Sequence, residues 1–172
     1  MRQPGFEFLR LSKFDLEMLH EWLNRPHVVA RWGGSIVLSD AIRKYLPRIT
    51  DQSDAHPYIA RIDSVPTGFI QYYWALKSGA DSWAGPLDER TVGIDYFLAD
   101  SKKLGQGLGS AMVSEFSKML FSTGTISRII SDPAIDNIAS IRCLEKAGFR
   151  RLRQIDSADG AAMLMERLAR SL

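Results

Sequence analysis

Residues 95–110 constrain the fold of this chain more than any other stretch. An apolar, aromatic run over 96–99 leads through a polar turn to three glycines at alternate positions, Gly105, Gly107 and Gly109. Apolar residues then recur at spacings of three and four, which predicts an amphipathic helix. Because glycines allow positive φ and the first N–H groups of a helix attract phosphate, the sequence predicts a pyrophosphate-binding loop. A flexible glycine-rich turn is the alternative.

The spacing of the glycines excludes two common nucleotide loops. It matches neither the Walker pattern Gly-x-x-x-x-Gly-Lys-Ser/Thr nor the dinucleotide pattern Gly-x-Gly-x-x-Gly. It resembles the Gln/Arg-x-x-Gly-x-Gly/Ala loop of the GCN5-related N-acetyltransferases, which holds the pyrophosphate of acetyl-coenzyme A. Leu104 stands in the Gln/Arg position, and that change removes a side chain but no backbone donor. The resemblance implies that the cofactor is bound by Leu104, Gly105, Gln106, Gly107, Leu108, Gly109 and Ser110.

A second stretch, Asn137–Phe149, resembles the Asn-x-x-Ala-x-x-x-Tyr-Glu-Lys-x-Gly-Phe segment of the same superfamily. Its pattern predicts a helix that is capped by Asn137 and ended by Gly148. The resemblance makes Asn137 an expected cofactor contact, with a plain helix cap as the alternative. The family's tyrosine, often its general acid, is replaced by Leu144.

Length and composition are those of one globular domain, which we predict to span residues 1–172. A net charge of +2 gives no indication of a nucleic-acid or membrane partner, and no run of about twenty apolar residues is present. The start, Met1–Gly5, lacks an apolar signal core, and the single Cys143 excludes an internal disulfide. We therefore expect a cytoplasmic protein without a metal, as a monomer or weak homodimer.

The order of predicted elements is β-α-α-β-β-β-α-β-α-β-β, without repeats or linkers. Ser12 and Ser39 are predicted helix caps, and Asp63–Thr67 is a predicted hairpin turn. A long loop, Lys77–Arg90, is of the length that is usually functional. The order is that of the N-acetyltransferase fold, an α/β (α+β) protein with a mixed, mostly antiparallel central sheet and helices on both faces. The predicted strands are 6–11, 57–62, 68–76, 91–99, 126–131, 151–155 and 161–167.

Acetylation of an amine requires the reactants to be held together, the ammonium to lose a proton, and a donor for the oxyanion. Asp95 is the candidate base, because alternation places it on the strand face opposite Ile94 and Tyr96, and a buried carboxylate needs a cationic partner. A surface aspartate on an edge strand, or one paired with a structural arginine, is the alternative. The resemblance also implies cofactor contacts from the following residues, Phe97, Leu98 and Ala99.

Over most of its length the chain most resembles the aminoglycoside 6′-N-acetyltransferases. The resemblance includes Glu21–Val29, Trp32–Gly34, Gly93–Ala99 and Ile141–Phe149. It implies that the aspartate at position 95 acts on the amine proton, and that the aminoglycoside contacts Trp32, Tyr73, Trp83, Asp95, Asp132 and Asp159.

Each of these drug-site assignments has an ordinary structural alternative. Asp132 precedes a proline and is compatible with a turn, Asp159-Gly160 suits a hairpin turn, and the tryptophans are compatible with core positions. Ala80 stands where an aspartate is expected. A polycationic drug fits carboxylates in a cleft of a slightly basic protein.

Two other functions remain open from the sequence. One is an acetyl-coenzyme A-dependent N-acetyltransferase of another acceptor, such as a siderophore hydroxylamine, a polyamine or a protein N-terminus. The other is an acyl-coenzyme A sensor without turnover, which the Leu144 replacement keeps open.

Overall fold

The structure is a computed structural model that describes residues 5–157 and 159–169. In the described part of the chain, seven strands form one sheet in the order β1-β2-β3-β4-β5-β7-β6. The strands are β1 Phe6–Arg10, β2 Ala55–Ile62, β3 Val65–Trp74, β4 Thr91–Leu98, β5 Arg128–Ser131, β6 Arg150–Ser157 and β7 Gly160–Leu168. The helices are α1 Leu16–Leu23, α2 Pro26–Val29, α3 Leu38–Ile49, α4 Asp81–Ala84, α5 Leu108–Ser122 and α6 Ile138–Lys146.

The sheet is mixed, as the sequence predicts. The pairs β1–β2, β5–β7 and β6–β7 are antiparallel, whereas β4 and β5 run parallel. Apart from two four-residue helices, α2 and α4, and two short 3-10 helices, Lys13–Asp15 and Ser101–Lys103, the order of elements is the predicted one. The predicted fold class is confirmed.

The described chain forms two compact units. The first contains the residues up to Gln71 together with Tyr96–Leu104, and the second contains Tyr72–Asp95 together with the residues from Gly105 onward. The first unit has an apolar core around the buried rings of Tyr45, Phe69 and Phe97, on which Leu19 and Ile59 also pack.

The second unit holds the parallel ladder of the sheet. Its pairs are Thr91–Arg128, Val92–Ile129 and Gly93–Ile130, and the ladder stops there although β4 continues to Leu98. Ser131 Oγ donates to Ile94 O over 3.3 Å at this end. The end of this ladder leaves the next residues of β4, Ile94 and then Asp95, outside the β4–β5 pairing.

Local predictions fail where a turn or cap is decided by its surroundings. The β2–β3 hairpin turns at Asp63 and Ser64 alone, both with positive φ (49° and 64°), so Pro66 lies in β3 and not in the turn. Two-residue turns of this kind match the right-handed twist of the strands that they join. Ser39 lies inside α3, whose N-cap is Val37.

An ion triad around one buried carboxylate links three adjacent strands of the second unit. Glu166 on β7 is 4% exposed, and it accepts hydrogen bonds from Arg128 Nε on β5 (2.8 Å) and Arg150 Nε on β6 (2.9 Å). Both arginines compensate one buried carboxylate, which makes the triad sensitive to loss of its centre.

We expect Glu166→Ala to lower the free energy of unfolding by about 2–4 kcal/mol, because it leaves Arg128 without its buried partner. The matched control is Glu115→Ala, which removes the exposed pair with Lys118 and should cost less than about 1 kcal/mol. Urea denaturation of both variants measures the difference. Equal losses in the two variants would contradict this role for the triad.

Candidate active site

Three carboxylates lie in the second unit, each in a different part of the sheet. Asp95 lies on β4 beyond the last β4–β5 pair, Asp132 directly follows β5, and Asp159 lies in the turn between β6 and β7. The negative charges of Asp95 and Asp159 both act on Asp132. The three acidic residues that the sequence predicts for the drug site are therefore coupled electrostatically through Asp132.

Asp132 has a strongly raised pKa. Burial, and after it the charge of Asp95, raises the pKa of Asp132 from an ordinary 3.8 to about 7; a backbone hydrogen bond opposes the rise and Asp159 adds to it. At neutral pH this carboxyl is therefore about half protonated. A cation that binds beside it favours the ionised form, so binding releases a proton.

Tyr73 on β3 belongs to the same cluster. Burial raises the pKa of its hydroxyl well above 10, and the charges of Asp95 and Asp132 raise it further. The phenol therefore remains protonated at any physiological pH and can serve as a hydrogen-bond donor to a carboxylate.

The glycine loop has the backbone that a phosphate cradle requires. Gly105 and Gly107 have φ of 74° and 82°, and a Cβ added at either would meet no atom within 4 Å. Gly107 is the N-cap of α5, and the helical ladder starts where Ala111 N donates to Gly107 O. The N–H groups of the first turn, 108–110, therefore have no acceptor within the helix. Leu104 is 47% exposed at the start of the loop.

Neighbouring groups already bind the end of β4, where Phe97, Leu98 and Ala99 are buried. Ala99 N donates to Thr67 O over 2.9 Å. Arg25 Nη1 donates to Ala99 O over 2.7 Å, and His27 Nε2 lies 2.9 Å from Leu98 O, so this ring nitrogen must carry the proton. A carbonyl oxygen has two lone pairs, so these carbonyls can accept one further bond.

The sequence pattern assigns no separate role to Arg25 and His27. Both come from the short segment Arg25-Pro26-His27, in which Pro26 is the first residue of α2. A proline at the first position of a helix has a φ that already suits the helix, so Pro26 favours the short helix that begins between Arg25 and His27.

The two tryptophans predicted for the drug site pack partly against apolar clusters. Trp32 makes edge-to-face contacts with Phe97 (4.9 Å between ring centres) and Phe69 (5.9 Å) in the first unit. Trp83 in α4 packs against the cluster of the second unit that contains Ala80 and Ile130. Both tryptophans are partly exposed, so one part of each ring packs in the core and another part is accessible to solvent.

Asn137 has a demonstrated structural role. Its side-chain oxygen accepts a hydrogen bond from Ser140 N over 3.2 Å and caps α6, as the sequence predicts. A cofactor contact by Asn137 would therefore use its amide nitrogen.

Two of the three departures from the family pattern, Leu144 and Ala80, are core positions. Leu144 is fully buried in α6, and Ala80 is 1% exposed in the apolar cluster of the second unit. Neither position supplies an acid, and Ala80 packs where a charged side chain would be costly.

Two negative findings apply to the described residues. No group of three or more His, Cys, Asp or Glu side chains is arranged to hold a metal ion there. No helix in that part of the chain is long and apolar enough to cross a membrane.

Comparison with known proteins identifies the family of this chain. The model of the acetyltransferase (GNAT) domain matches residues 12–157. The chain belongs to the GNAT acetyltransferase family. Aminoglycoside N(6′)-acetyltransferase type 1 of Klebsiella pneumoniae is 40% identical over 158 residues, which are 90% of this chain and 79% of that protein.

Solved structures agree with this family. A crystal structure of the aminoglycoside acetyltransferase AAC(6′)-Ib in complex with coenzyme A and kanamycin has a TM-score of 0.89 and 38% identity, covering 95% of each chain. The lysine N-acyltransferase MbtK of Mycobacterium tuberculosis (strain H37Rv) is 30% identical over 155 residues, 88% of this chain and 72% of that protein. The predicted family and the GNAT fold are thus confirmed.

The raised pKa of Asp132 predicts a pH-dependent stability for this GNAT protein. Between about pH 4 and pH 7 the folded state holds a proton that the unfolded state has released, so stability falls as pH rises. Asp132→Asn removes this fall. We expect the free energy of unfolding of the variant to rise with pH relative to that of the wild type. The difference should reach on the order of 3 kcal/mol above pH 7.

Chemical denaturation at pH 5 and pH 8 measures this effect. The exposed Asp136→Asn, four residues later, is the matched control and should keep the wild-type dependence on pH. The same dependence in Asp132→Asn as in wild type would show that Asp132 is not the titrating group.

Proposed function

We propose that this chain is an aminoglycoside 6′-N-acetyltransferase and thereby confers resistance to aminoglycoside antibiotics. It transfers the acetyl group of acetyl-coenzyme A to the 6′-amine by direct attack in a ternary complex. The observation that carries the proposal is the cluster of Asp95, Asp132 and Asp159, whose mutual repulsion favours a ligand with several ammonium groups. The similarity to an aminoglycoside N(6′)-acetyltransferase over 90% of the chain supports it.

Asp95 is the catalytic base in this proposal. It takes a proton from the 6′-ammonium, because only the neutral amine attacks a thioester. Asp132 and Asp159 hold other ammonium groups of the drug and thereby orient the amine. Trp32, Tyr73 and Trp83 complete the proposed drug contacts.

The glycine loop, Leu104–Ser110, holds the pyrophosphate of the cofactor through its backbone N–H groups. Phe97, Leu98 and Ala99 offer backbone groups to pantetheine, and Asn137 offers its amide. Acetyl-coenzyme A supplies an acetyl thioester whose leaving group is a thiol. Free thiols have a pKa of about 8.5, so coenzyme A can leave as the thiolate. Its departure therefore does not require a general acid at the position of Leu144.

A second candidate function is acylation of another amine, and the similarity to a lysine N-acyltransferase favours it. The acidic cluster is compatible with a lysine side chain, which carries one ammonium group where an aminoglycoside carries several. Relative rates with kanamycin and with free lysine therefore distinguish the two acceptors.

We also propose that residues 1–172 act as one domain, of which 1–4, 158 and 170–172 lie outside the described residues. A cytoplasmic location and a monomer or weak homodimer in solution remain part of the proposal. Gel filtration with light scattering at two concentrations tests the oligomeric state.

Release of free coenzyme A on addition of kanamycin is the direct test of the function. We expect wild type to release it only with the drug, and Asp95→Asn to lower kcat by about 10²- to 10⁴-fold with the fold retained. The exposed Asp156→Asn on β6 is the matched control and should keep the wild-type rate. A near-wild-type rate for Asp95→Asn at neutral pH would remove Asp95 as the base.

Substitutions of two glycines at opposite ends of α5 test cofactor binding by the loop. Gly107 and Gly124 both have positive φ (82° and 71°) and open surroundings, so a valine strains each backbone in the same way. We expect Gly107→Val to weaken acetyl-coenzyme A binding by at least about tenfold, whereas Gly124→Val does not. Isothermal titration calorimetry measures both, and equal affinities would place the pyrophosphate elsewhere.

A further inference from the structure

Gly93 lies in the buried middle of β4, where a glycine is unexpected. A Cβ built on Gly93 would lie 2.1 Å from Cζ, 2.3 Å from Oη and 2.5 Å from Cε2 of Tyr73. Side-chain atoms do not approach a Cβ below about 3 Å. The hydroxyl end of the Tyr73 ring therefore occupies the space of the missing side chain.

Conformation does not explain this glycine. The φ of Gly93 lies outside the positive region, whereas Gly105, Gly107 and Gly124 have positive φ and open space around the added Cβ. A glycine inside a strand weakens it, and it is found where another group approaches the backbone closely. The close approach of Tyr73 is that reason here.

The Tyr73 phenol covers a position of β4 that lies on the same face of the sheet as Asp95. Gly93 and Asp95 are two residues apart on β4, so they face the same side of the sheet. The hydroxyl that covers Gly93 is thus adjacent to the face that carries Asp95, and Gly93 pairs with Ile130, two residues before Asp132. Consistent with this geometry, the charges of Asp95 and Asp132 both act on the Tyr73 hydroxyl.

We propose that Gly93 and Tyr73 form a positioning pair, in which the absent side chain of Gly93 seats the Tyr73 hydroxyl as a fixed neutral donor to the Asp95–Asp132 carboxylates. The inference rests on the proposed function of Asp95 as the base. Carboxylates that are close together raise one another's pKa, and Asp159 adds to this effect at Asp132. A hydrogen bond from a neutral phenol favours the ionised form and keeps the base ready at neutral pH.

Tyr73→Phe separates this role from simple packing, since it keeps the ring over Gly93 and removes only the hydroxyl. We expect the acid limb of kcat/KM against pH to move up by about half to one pH unit, with little change in Tm. Tyr72→Phe, the neighbouring residue on β3, is the matched control and should leave the acid limb in place. An unmoved acid limb in Tyr73→Phe would overturn the proposal.

The variant Gly93→Ala tests whether the Tyr73 ring occupies the side-chain space of Gly93. The added methyl displaces the ring, so we expect lower stability and a loss of kcat/KM of at least about tenfold at pH 7. In Gly93→Ala combined with Tyr73→Ala the clash is gone, so the two stability losses should be less than additive. Full additivity would mean that the two residues do not share this space.

A titration without substrate keeps the inference separate from the proposed function. Carbon-13 NMR of the aspartate carboxyls in the free protein should show a higher pKa for Asp95 or Asp132 in Tyr73→Phe than in wild type. If wild type releases no coenzyme A with kanamycin but this shift occurs, the proposed function fails and the positioning pair stands. If both carboxyls titrate as in wild type, the pair fails whatever the acceptor is.

Discussion

The repulsion between carboxylates that the sheet holds close together is the interaction on which the proposed chemistry depends. Burial, and after it the charge of Asp95, raises the pKa of Asp132 to about 7, which shows that folding places negative charge where it is unfavourable. In the proposed function this cost is recovered when a ligand with several ammonium groups binds, because each carboxylate then gains a cation.

A second buried carboxylate of the same unit shows the opposite arrangement. Glu166 is held between Arg128 and Arg150, so its charge is compensated inside the protein. For Asp132 the largest effect of any neighbouring charge comes from another carboxylate, Asp95. The same chemical group is structural in one place and available for a ligand in the other, and the difference lies in the sign of the neighbouring charges.

The sequence predicted much of the fold because many of its cues are local. The spacing of Gly105 and Gly107 ahead of an amphipathic pattern specified a loop and a helix, and Asn137 caps α6 as predicted. Local cues failed where two structures were compatible with the same residues. Ser39 is a good cap by composition, yet α3 begins one residue earlier, because Val37 has the extended backbone of an N-cap.

By itself the sequence determined the order of the strands and helices, the glycine loop and the identity of the candidate base, Asp95. Only the tertiary structure showed that Tyr73 fills the side-chain space of Gly93 and that Asp132 titrates near neutral pH. Arg25 and His27 at the end of β4 are a third case. The physical reason is common to all three: sterics, desolvation and Coulomb interactions depend on distances between residues that are 20 to 75 positions apart, as is roughly typical of contacts between strands.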